Sequence, residues 1–366
     1  MGAVKLTAVL PSPQRALSRC ASWLESRSSD LVQVQLCGSL PPKLGPVIVS
    51  SPYDKVLAGL TVRELTASVL GANGRSSATQ YWEYGDPAAT TTLVLVHGFR
   101  GDHHGLQLVV AELLGAGELP RAVETDAAAP ALRIIAPDLP GFGRSEPLPD
   151  GDHSLAGYSR WLREFLKVLA RTGRLVVLGH SFGSIVVAAA VAEGLAADDV
   201  VLVNPIAAPA LSGPRGILTR LAVFYYWASA SFPERWGYAL LQNRAIVRVM
   251  SVSMAKTQDP ALRRWIHNQH DRYFSAFANR QVVMAAFTAS VSHDVSEFAA
   301  RIPQPTLLIA ADRDDITPLA AQYRLQSLFP NATLRVVDNV GHLIHYETPK
   351  PAATYIREFL AEERPE

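Results

Sequence analysis

Cysteine is the first thing that this sequence lacks. Its 366 residues include two cysteines, Cys20 and Cys37. Two are too few for a disulfide framework, and no Cys-x-x-Cys pair or Cys/His spacing typical of a zinc site occurs. A single Cys20–Cys37 bridge stays open, but the sequence predicts no metal site and no cofactor.

Excess charge and long apolar runs are also missing. The formal net charge is +1 at pH 7, so no broad attraction to nucleic acid is expected. No stretch reaches the roughly 18 consecutive apolar residues of a transmembrane helix. Pro11 and Pro13 end the short apolar run at the start, which argues against a secretory signal. We therefore expect a cytoplasmic protein that binds a small-molecule substrate, while the oligomeric state is not indicated.

Apolar residues, by contrast, are abundant at 48%, with 18% charged residues, which is typical of a globular protein. From about residue 93, helical patterns alternate with short apolar runs at 92–96, 132–137, 174–179, 199–205, 306–311 and 333–338. These runs are continuous, as expected for strands that helices cover on both faces. The pattern predicts an α/β fold with a mostly parallel, doubly wound sheet. Residues 76–87 are predicted to form an edge strand leading into it.

One stretch interrupts the alternation. From about residue 206 to 301 the pattern is helical without strands, and it is rich in Trp, Tyr, Phe and Met. Because this is far longer than a normal connection, we predict an inserted helical cap above an apolar pocket. The chain then divides into an N-terminal extension of unknown role, a first core part, the cap or lid, and a second core part, at 1–60, 61–205, 206–301 and 302–366.

The sequence Gly-His-Ser-Phe-Gly at 179–183 lies between a predicted strand and a predicted helix. A serine on so sharp a turn takes strained backbone angles, and glycine two positions to either side removes collisions. The alternative is an ordinary turn flanked by glycines. The context favours a nucleophile, Ser181, while the side chain of His180 is expected to point away from its hydroxyl.

A serine nucleophile needs a base and an orienting carboxylate. Asp312, Asp314 and Asp315 follow the run at 306–311, and His342 follows the next run. The carboxyl ends of parallel strands share one edge of a sheet, where sites form. The order Ser, Asp, His is also that of a nucleophile elbow. We predict that His342 is the base and that one of these acids holds its ring.

An oxyanion site is predicted from His97-Gly98-Phe99, which follows the first strong strand. The backbone N–H groups of Phe99 and Phe182 are expected to converge on a developing oxyanion. His103 and His104, slightly further along, show no metal-ligand spacing and are interpreted as loop residues.

Five segments carry a resemblance to a known family: "LVLVHGF", "PDLPGFGRSE", "VVLGHSFGS", "LLIAADRDDITP" and "GHLIHYETP". Their order and spacing over residues 76–362 resemble the α/β-hydrolase superfamily in its lid-bearing serine form. The resemblance implies the α/β-hydrolase fold and structural roles for Asp138 and Arg144. Serine as the nucleophile argues against haloalkane dehalogenase or epoxide hydrolase chemistry.

The resemblance also indicates which of the three acids holds the ring of His342. The acid of the family occupies the fourth position of an element that here reads Ala311-Asp312-Arg313-Asp314, which favours Asp314. Ala311 stands where the family usually has glycine, and this departure leaves Asp312 as the fallback.

Together these features predict a carboxylesterase-like serine hydrolase. It would cleave an ester-type bond of a small or medium, largely apolar substrate through an acyl-enzyme. Carbon–carbon bond hydrolysis, lactone hydrolysis and acyl transfer are alternatives that the fold does not separate. An alternative of another class is a ligand-binding receptor with little turnover.

Overall fold

The apolar runs form one sheet, most of whose strands are parallel. The computed structural model describes residues 52–115, 131–208 and 216–362, all within one compact unit at Ile48–Glu366. Eight strands in these residues pair in the order β1-β2-β4-β3-β5-β6-β7-β8. Strands β1 and β2 run antiparallel to their neighbours, and the remaining pairs are parallel. The strands are β1 (Val62–Leu70), β2 (Ser76–Gly85), β3 (Thr91–Val96), β4 (Leu132–Pro137), β5 (Arg174–His180), β6 (Asp199–Val203), β7 (Thr306–Ala311) and β8 (Ala332–Val337).

Helices follow most of these strands. Those of the core are α1 (Pro52–Ala58), α2 (Gln107–Leu113), α3 (Leu155–Val168), α4 (Phe182–Ala192), α10 (Leu319–Gln326), α11 (Ile344–Glu347) and α12 (Pro349–Ala361). Between β6 and β7 the structure describes α5 (Gly216–Ser231), α6 (Glu234–Leu241), α7 (Arg244–Met254), α8 (Pro260–Tyr273) and α9 (Arg280–Ser292), called the intervening helices below. In the described ranges no helix is both long and apolar enough to cross a membrane.

The central strands are buried on both faces. Along β3, Val94 and Val96 belong to the apolar cluster that includes α3 and α4. Leu93 and Leu95 point the other way, into the cluster that includes α2 and α12. This double covering explains why the strands are continuous apolar runs, and the predicted mostly parallel, doubly wound sheet is confirmed.

The edge-strand prediction for residues 76–87 is wrong. Strand β2 lies inside the sheet, between β1 and β4, and β1 at Val62–Leu70 is the edge strand that the sequence did not reveal. The reason is exposure: most side chains of β1 are exposed, so it lacks an apolar run. The two cysteines and most of the predicted extension at 1–60 lie outside the described residues.

Candidate active site

Ser181 stands on a strained turn between β5 and α4. Its φ is 53° and its ψ is −119°, a conformation that costs a non-glycine residue of order 1–3 kcal/mol. The turn is also too tight for a side chain at either of the two glycine positions, 179 and 183. A Cβ at Gly179 would lie 2.6 Å from the carbonyl carbon of Gly183, and a Cβ at Gly183 would lie 2.7 Å from His97 O. The two glycines therefore allow the backbone to pass close to the serine.

We expect Gly179→Ala to lower the free energy of unfolding by about 3 kcal/mol or more, because the new methyl group meets backbone atoms that cannot move aside. Urea denaturation measures the change. Gly105→Ala is the matched control, since its Cβ would make only an ordinary contact of 3.6 Å with the Tyr346 hydroxyl. Equal stability of the two variants would contradict the steric account.

His342 lies beside this serine. It follows β8, and its Nε2 is 2.8 Å from Ser181 Oγ, while its Nδ1 is 2.7 Å from Asp314 Oδ2. A carboxylate can only accept hydrogen bonds, so Nδ1 must carry the ring proton. Nε2 is then left with a lone pair that accepts the Ser181 hydroxyl. The geometry thus fixes the tautomer that a general base for serine requires.

Asp314, rather than Asp312, contacts the histidine. Asp312 Oδ1 instead accepts the backbone N–H of Val340 at 3.2 Å. Burial alone would raise the pKa of Asp314, but the nearby His342 and hydrogen bonds from His342 and Thr317 outweigh it and lower the pKa from 3.8 to about 2. The carboxylate is therefore ionised throughout the neutral range and can stabilise a positive charge on the ring.

Two neighbours of Asp314 were not singled out from the sequence. Asn204 Nδ2 donates to Oδ2 at 2.9 Å, and Thr317 Oγ1 donates to the same oxygen at 2.6 Å. Asn204 directly follows β6 and has a positive φ of 44°. A polar residue at the carboxyl end of a core strand is a signal that could have found it. These donors hold the carboxylate in one orientation toward His342.

The two predicted oxyanion donors flank the serine. Phe182 is the first residue of α4, so its N–H has no acceptor within the helix. Phe99 lies in a turn closed by a 3.1 Å bond from Gly101 N–H to Gly98 O, which does not use the Phe99 N–H. A Cβ on Gly98 would lie 3.2 Å from Ser181 Cβ. This loop therefore passes directly beside the nucleophile.

Aromatic rings from the core and the intervening helices meet at this loop. The Phe99 ring contacts the Phe142 and Phe182 rings of the core. It also contacts Tyr226 of α5 and Phe287 of α9. The intervening helices thus pack against a residue of the loop that passes beside the serine.

His180 is not the partner of Ser181. Its ring lies 4.1 Å, between centroids, from that of His345, and both residues are buried. Burial lowers the pKa of His180 to about 3 and lowers that of His345 well below its usual value. Both rings are therefore neutral at pH 7 and pack behind His342.

Buried neutral histidines make the stability of the fold depend on pH. Burial lowers the pKa of six of them: His103, His153, His180, His267, His270 and His345. The unfolded chain takes up protons on these side chains below about pH 6.5, before the folded chain does. Their contribution to stability is therefore complete above pH 6.5 and falls as the pH decreases. For His153, His180 and His270, whose pKa values are about 4, 3 and 3, the fall continues toward pH 4 at about 1.4 kcal/mol per pH unit for each.

Urea denaturation at pH 8.0, 6.5 and 5.5 measures this fall. His153→Gln should reduce the slope, because the pKa of His153 is lowered to about 4. Stability that is constant between pH 8.0 and 5.5 would refute the explanation.

One group in the described ranges has donor atoms close enough for a metal ion, Asp102, His103 and His104, whose ligand atoms lie within 4.8 Å. His103, which we interpreted as a loop residue, is buried and begins a short 3-10 helix. Its Nδ1 is 2.9 Å from Asp138 Oδ1, and the Nδ1 of His104 is 3.1 Å from Asp102 Oδ2. The two rings are tilted by 39° to each other, with centroids 3.9 Å apart. Both Nδ1 atoms thus already have a carboxylate partner within the protein.

A parallel sheet with a serine elbow after β5, an aspartate after β7 and a histidine after β8 has the architecture of an α/β-hydrolase. A model of the alpha/beta hydrolase family matches residues 93–354, and the chain belongs to that family. It is an enzyme of the α/β-hydrolase superfamily, and its class of activity is hydrolysis.

Known relatives act on different substrates. A 2-hydroxymuconate semialdehyde hydrolase from Pseudomonas putida is 29% identical over 63% of this chain and 77% of that protein. Lipase 1 from Psychrobacter immobilis is 22% identical over 80% of this chain and 81% of the lipase. The structure of an esterase from Exiguobacterium antarcticum has a TM-score of 0.63 and 14% identity, covering 81% of this chain and 100% of the esterase. This last similarity shows the fold alone.

Proposed function

We propose that the protein is a carboxylesterase-like serine hydrolase with Ser181 as its nucleophile, His342 as its general base and Asp314 as the group that holds the base. The observation that carries this proposal is the continuous hydrogen-bonded chain from Ser181 Oγ through both ring nitrogens of His342 to Asp314 Oδ2. A histidine that merely filled the core would not need a serine on one nitrogen and a buried carboxylate on the other.

The reaction follows from this arrangement. As Ser181 Oγ forms a bond to the carbonyl carbon of the ester, its proton passes to His342 Nε2. The carbonyl electron pair moves onto oxygen, which the N–H groups of Phe99 and Phe182 would stabilise. The C–O bond to the alcohol then breaks, and His342 returns the proton to the departing alkoxide. Water repeats the sequence on the acyl-enzyme and releases the acid.

An apolar substrate suits the surroundings of the serine. Phe99 packs against four aromatic rings, two of which belong to the intervening helices. We infer that these helices form a cap over the acyl group and exclude water from it.

A second candidate is hydrolysis of a carbon–carbon bond in a vinylogous diketone. The 29% identity to the 2-hydroxymuconate semialdehyde hydrolase favours it. The same serine, base and oxyanion donors would serve either reaction, so the substrate distinguishes them.

A substrate panel tests both candidates. It contains p-nitrophenyl esters with acyl chains of two to twelve carbons, a lactone and a vinylogous diketone. We expect the largest kcat/KM with a short or medium ester. Turnover of the diketone without turnover of any ester would replace the first candidate by the second. No turnover, together with no labelling by a fluorophosphonate, would indicate a ligand receptor and overturn the proposal.

A further inference from the structure

A cation lies buried next to the proposed oxyanion site. Arg100 follows Phe99 directly and is 1% exposed. Among the ion pairs of the described residues none involves Arg100, although a buried charge usually has a partner of opposite sign. Its guanidinium instead donates to neutral oxygens of the intervening helices.

The acceptors belong to the ends of two helices. Arg100 Nη2 donates to the carbonyl of Leu241, the last residue of α6, at 2.6 Å, and Nε donates to the carbonyl of Phe274, which caps α8, at 3.0 Å. Carbonyls at a helix C-terminus lack intrahelical donors and carry partial negative charge. The two helix ends therefore take the place of a carboxylate.

Further contacts restrain the position of the Arg100 guanidinium. Nη1 donates to the Tyr226 hydroxyl of α5 at 3.3 Å. The rings of Phe274 and Phe277 lie 4.9 and 5.3 Å from the guanidinium carbon, within range of a cation–π interaction. One side chain of the core thus reaches α5, α6 and the α8–α9 connection.

That connection is itself anchored to the core. Gly143 N–H donates to the carbonyl of Ala276 at 2.8 Å, and Ala278 N–H donates to the carbonyl of Gly141 at 2.8 Å. Arg100 therefore binds to a fixed support rather than to a free loop.

The backbone of Arg100 is also strained. Its φ is 60°, and it is the third residue of the turn closed between Gly98 and Gly101, a position that favours glycine or asparagine. A non-glycine residue there needs surrounding contacts to stabilise it. The side-chain contacts supply that restraint, and the adjacent residue whose orientation the turn sets is Phe99.

We propose that Arg100 is a positioning residue for the hydrolase reaction: it ties the Gly98–Gly101 turn to the intervening helices and so holds the Phe99 N–H where the oxyanion develops. This inference rests on the proposed function. The N–H acts on the transition state more than on bound ester, so its displacement lowers kcat rather than raising KM.

Arg100→Met and Arg100→Lys test the proposal, with Arg280→Met as the matched control. Arg280, the first residue of α9, also donates to carbonyls at a helix end, including Phe232 O directly after α5 at 2.7 Å, but its hydrogen bonds go to residues 229–232 and not to the Gly98–Gly101 turn. We expect kcat on a p-nitrophenyl ester to fall about 10- to 100-fold in Arg100→Met with KM changed less than about threefold. Affinity for a boronic acid that forms a tetrahedral adduct should fall by a similar factor. Arg100→Lys, which keeps the charge, should recover part of kcat, and Arg280→Met should keep kcat while lowering Tm.

Three results for Arg100→Met would overturn it: a kcat equal to that of Arg280→Met, a loss confined to KM, or unchanged boronate affinity. If Arg100→Met fails to fold, a kcat of Arg100→Lys equal to that of wild type overturns it. Hydrogen exchange of residues 97–103 gives a readout that does not need turnover. Faster exchange in the folded Arg100 variants than in Arg280→Met supports the inference, and equal exchange refutes it. Absence of turnover in the wild type, by contrast, refutes the proposed function.

Discussion

Ser181→Ala should reduce kcat by at least about 10⁴-fold and should abolish labelling by a fluorophosphonate. The substitution removes the only atom that can form the acyl-enzyme in the proposed mechanism, Ser181 Oγ. Without it, water must attack the substrate directly, aided only by binding and by the oxyanion donors. The fold should be retained, because alanine is smaller than serine and fits the same position. The substitution removes the 2.8 Å hydrogen bond to His342 but leaves no buried charge without a partner.

Intact-mass measurement after labelling, together with steady-state kinetics on the best p-nitrophenyl ester, checks this result. Ser159→Ala is the control, since Ser159 is buried in α3 and bonds to Glu193 instead of a site residue. It should keep both the label and the activity. Labelling that persists in Ser181→Ala would show that another residue is the nucleophile.

Asp314→Asn should reduce kcat by about 10³- to 10⁴-fold. The amide can present an N–H to His342 Nδ1, which would favour the tautomer with the proton on Nε2. Nε2 could then no longer accept the proton of Ser181. The variant also loses the negative charge that stabilises the protonated ring, while the hydrogen bonds from Ile316 and Thr317 to the other oxygen can persist.

Asp312→Asn is the matched control, because it makes the same chemical change two residues away. Asp312 accepts a hydrogen bond from the backbone of Val340, whereas the carboxylate bonded to the ring of His342 is that of Asp314. We expect its kcat to stay within about threefold of wild type. Equal losses in the two variants, measured as kcat with circular dichroism to verify folding, would contradict the assignment of Asp314.

Local patterns predicted much of the fold. The runs that form β3 to β7 are apolar because helices cover both faces of the sheet, so consecutive residues of each run are buried. Helix α3 was likewise predictable from its sequence, in which Ser154 stands at the capping position. In the structure Ser154 Oγ accepts from Gly157 N–H at 3.2 Å. Strand β1 was missed for the converse reason: a strand at an exposed edge carries no such run.

The elbow was predictable because its constraints are local. Two glycines, a strand and a helix lie within a few residues of Ser181, and the close approaches at Gly179 and Gly183 have the steric origin expected. The order of the strands also places Asp314 and His342 at the same sheet edge. Sequence alone therefore proposed the three residues that the structure brings into one hydrogen-bonded chain.

Contacts between distant segments depended on the tertiary structure. Asn204 meets Asp314 across 110 residues, and Arg100 meets Leu241 across 141. The position of Asn204 after a strand marks it as a candidate site residue, but no local feature shows which partner packs against it. The same is true of an arginine in a turn. The sequence by itself determined strands β2 to β8, the serine turn and the family resemblance. The tertiary structure decided between Asp314 and Asp312 as the partner of His342, and it decided which residues bond to Arg100, since both depend on where separate chain segments pack.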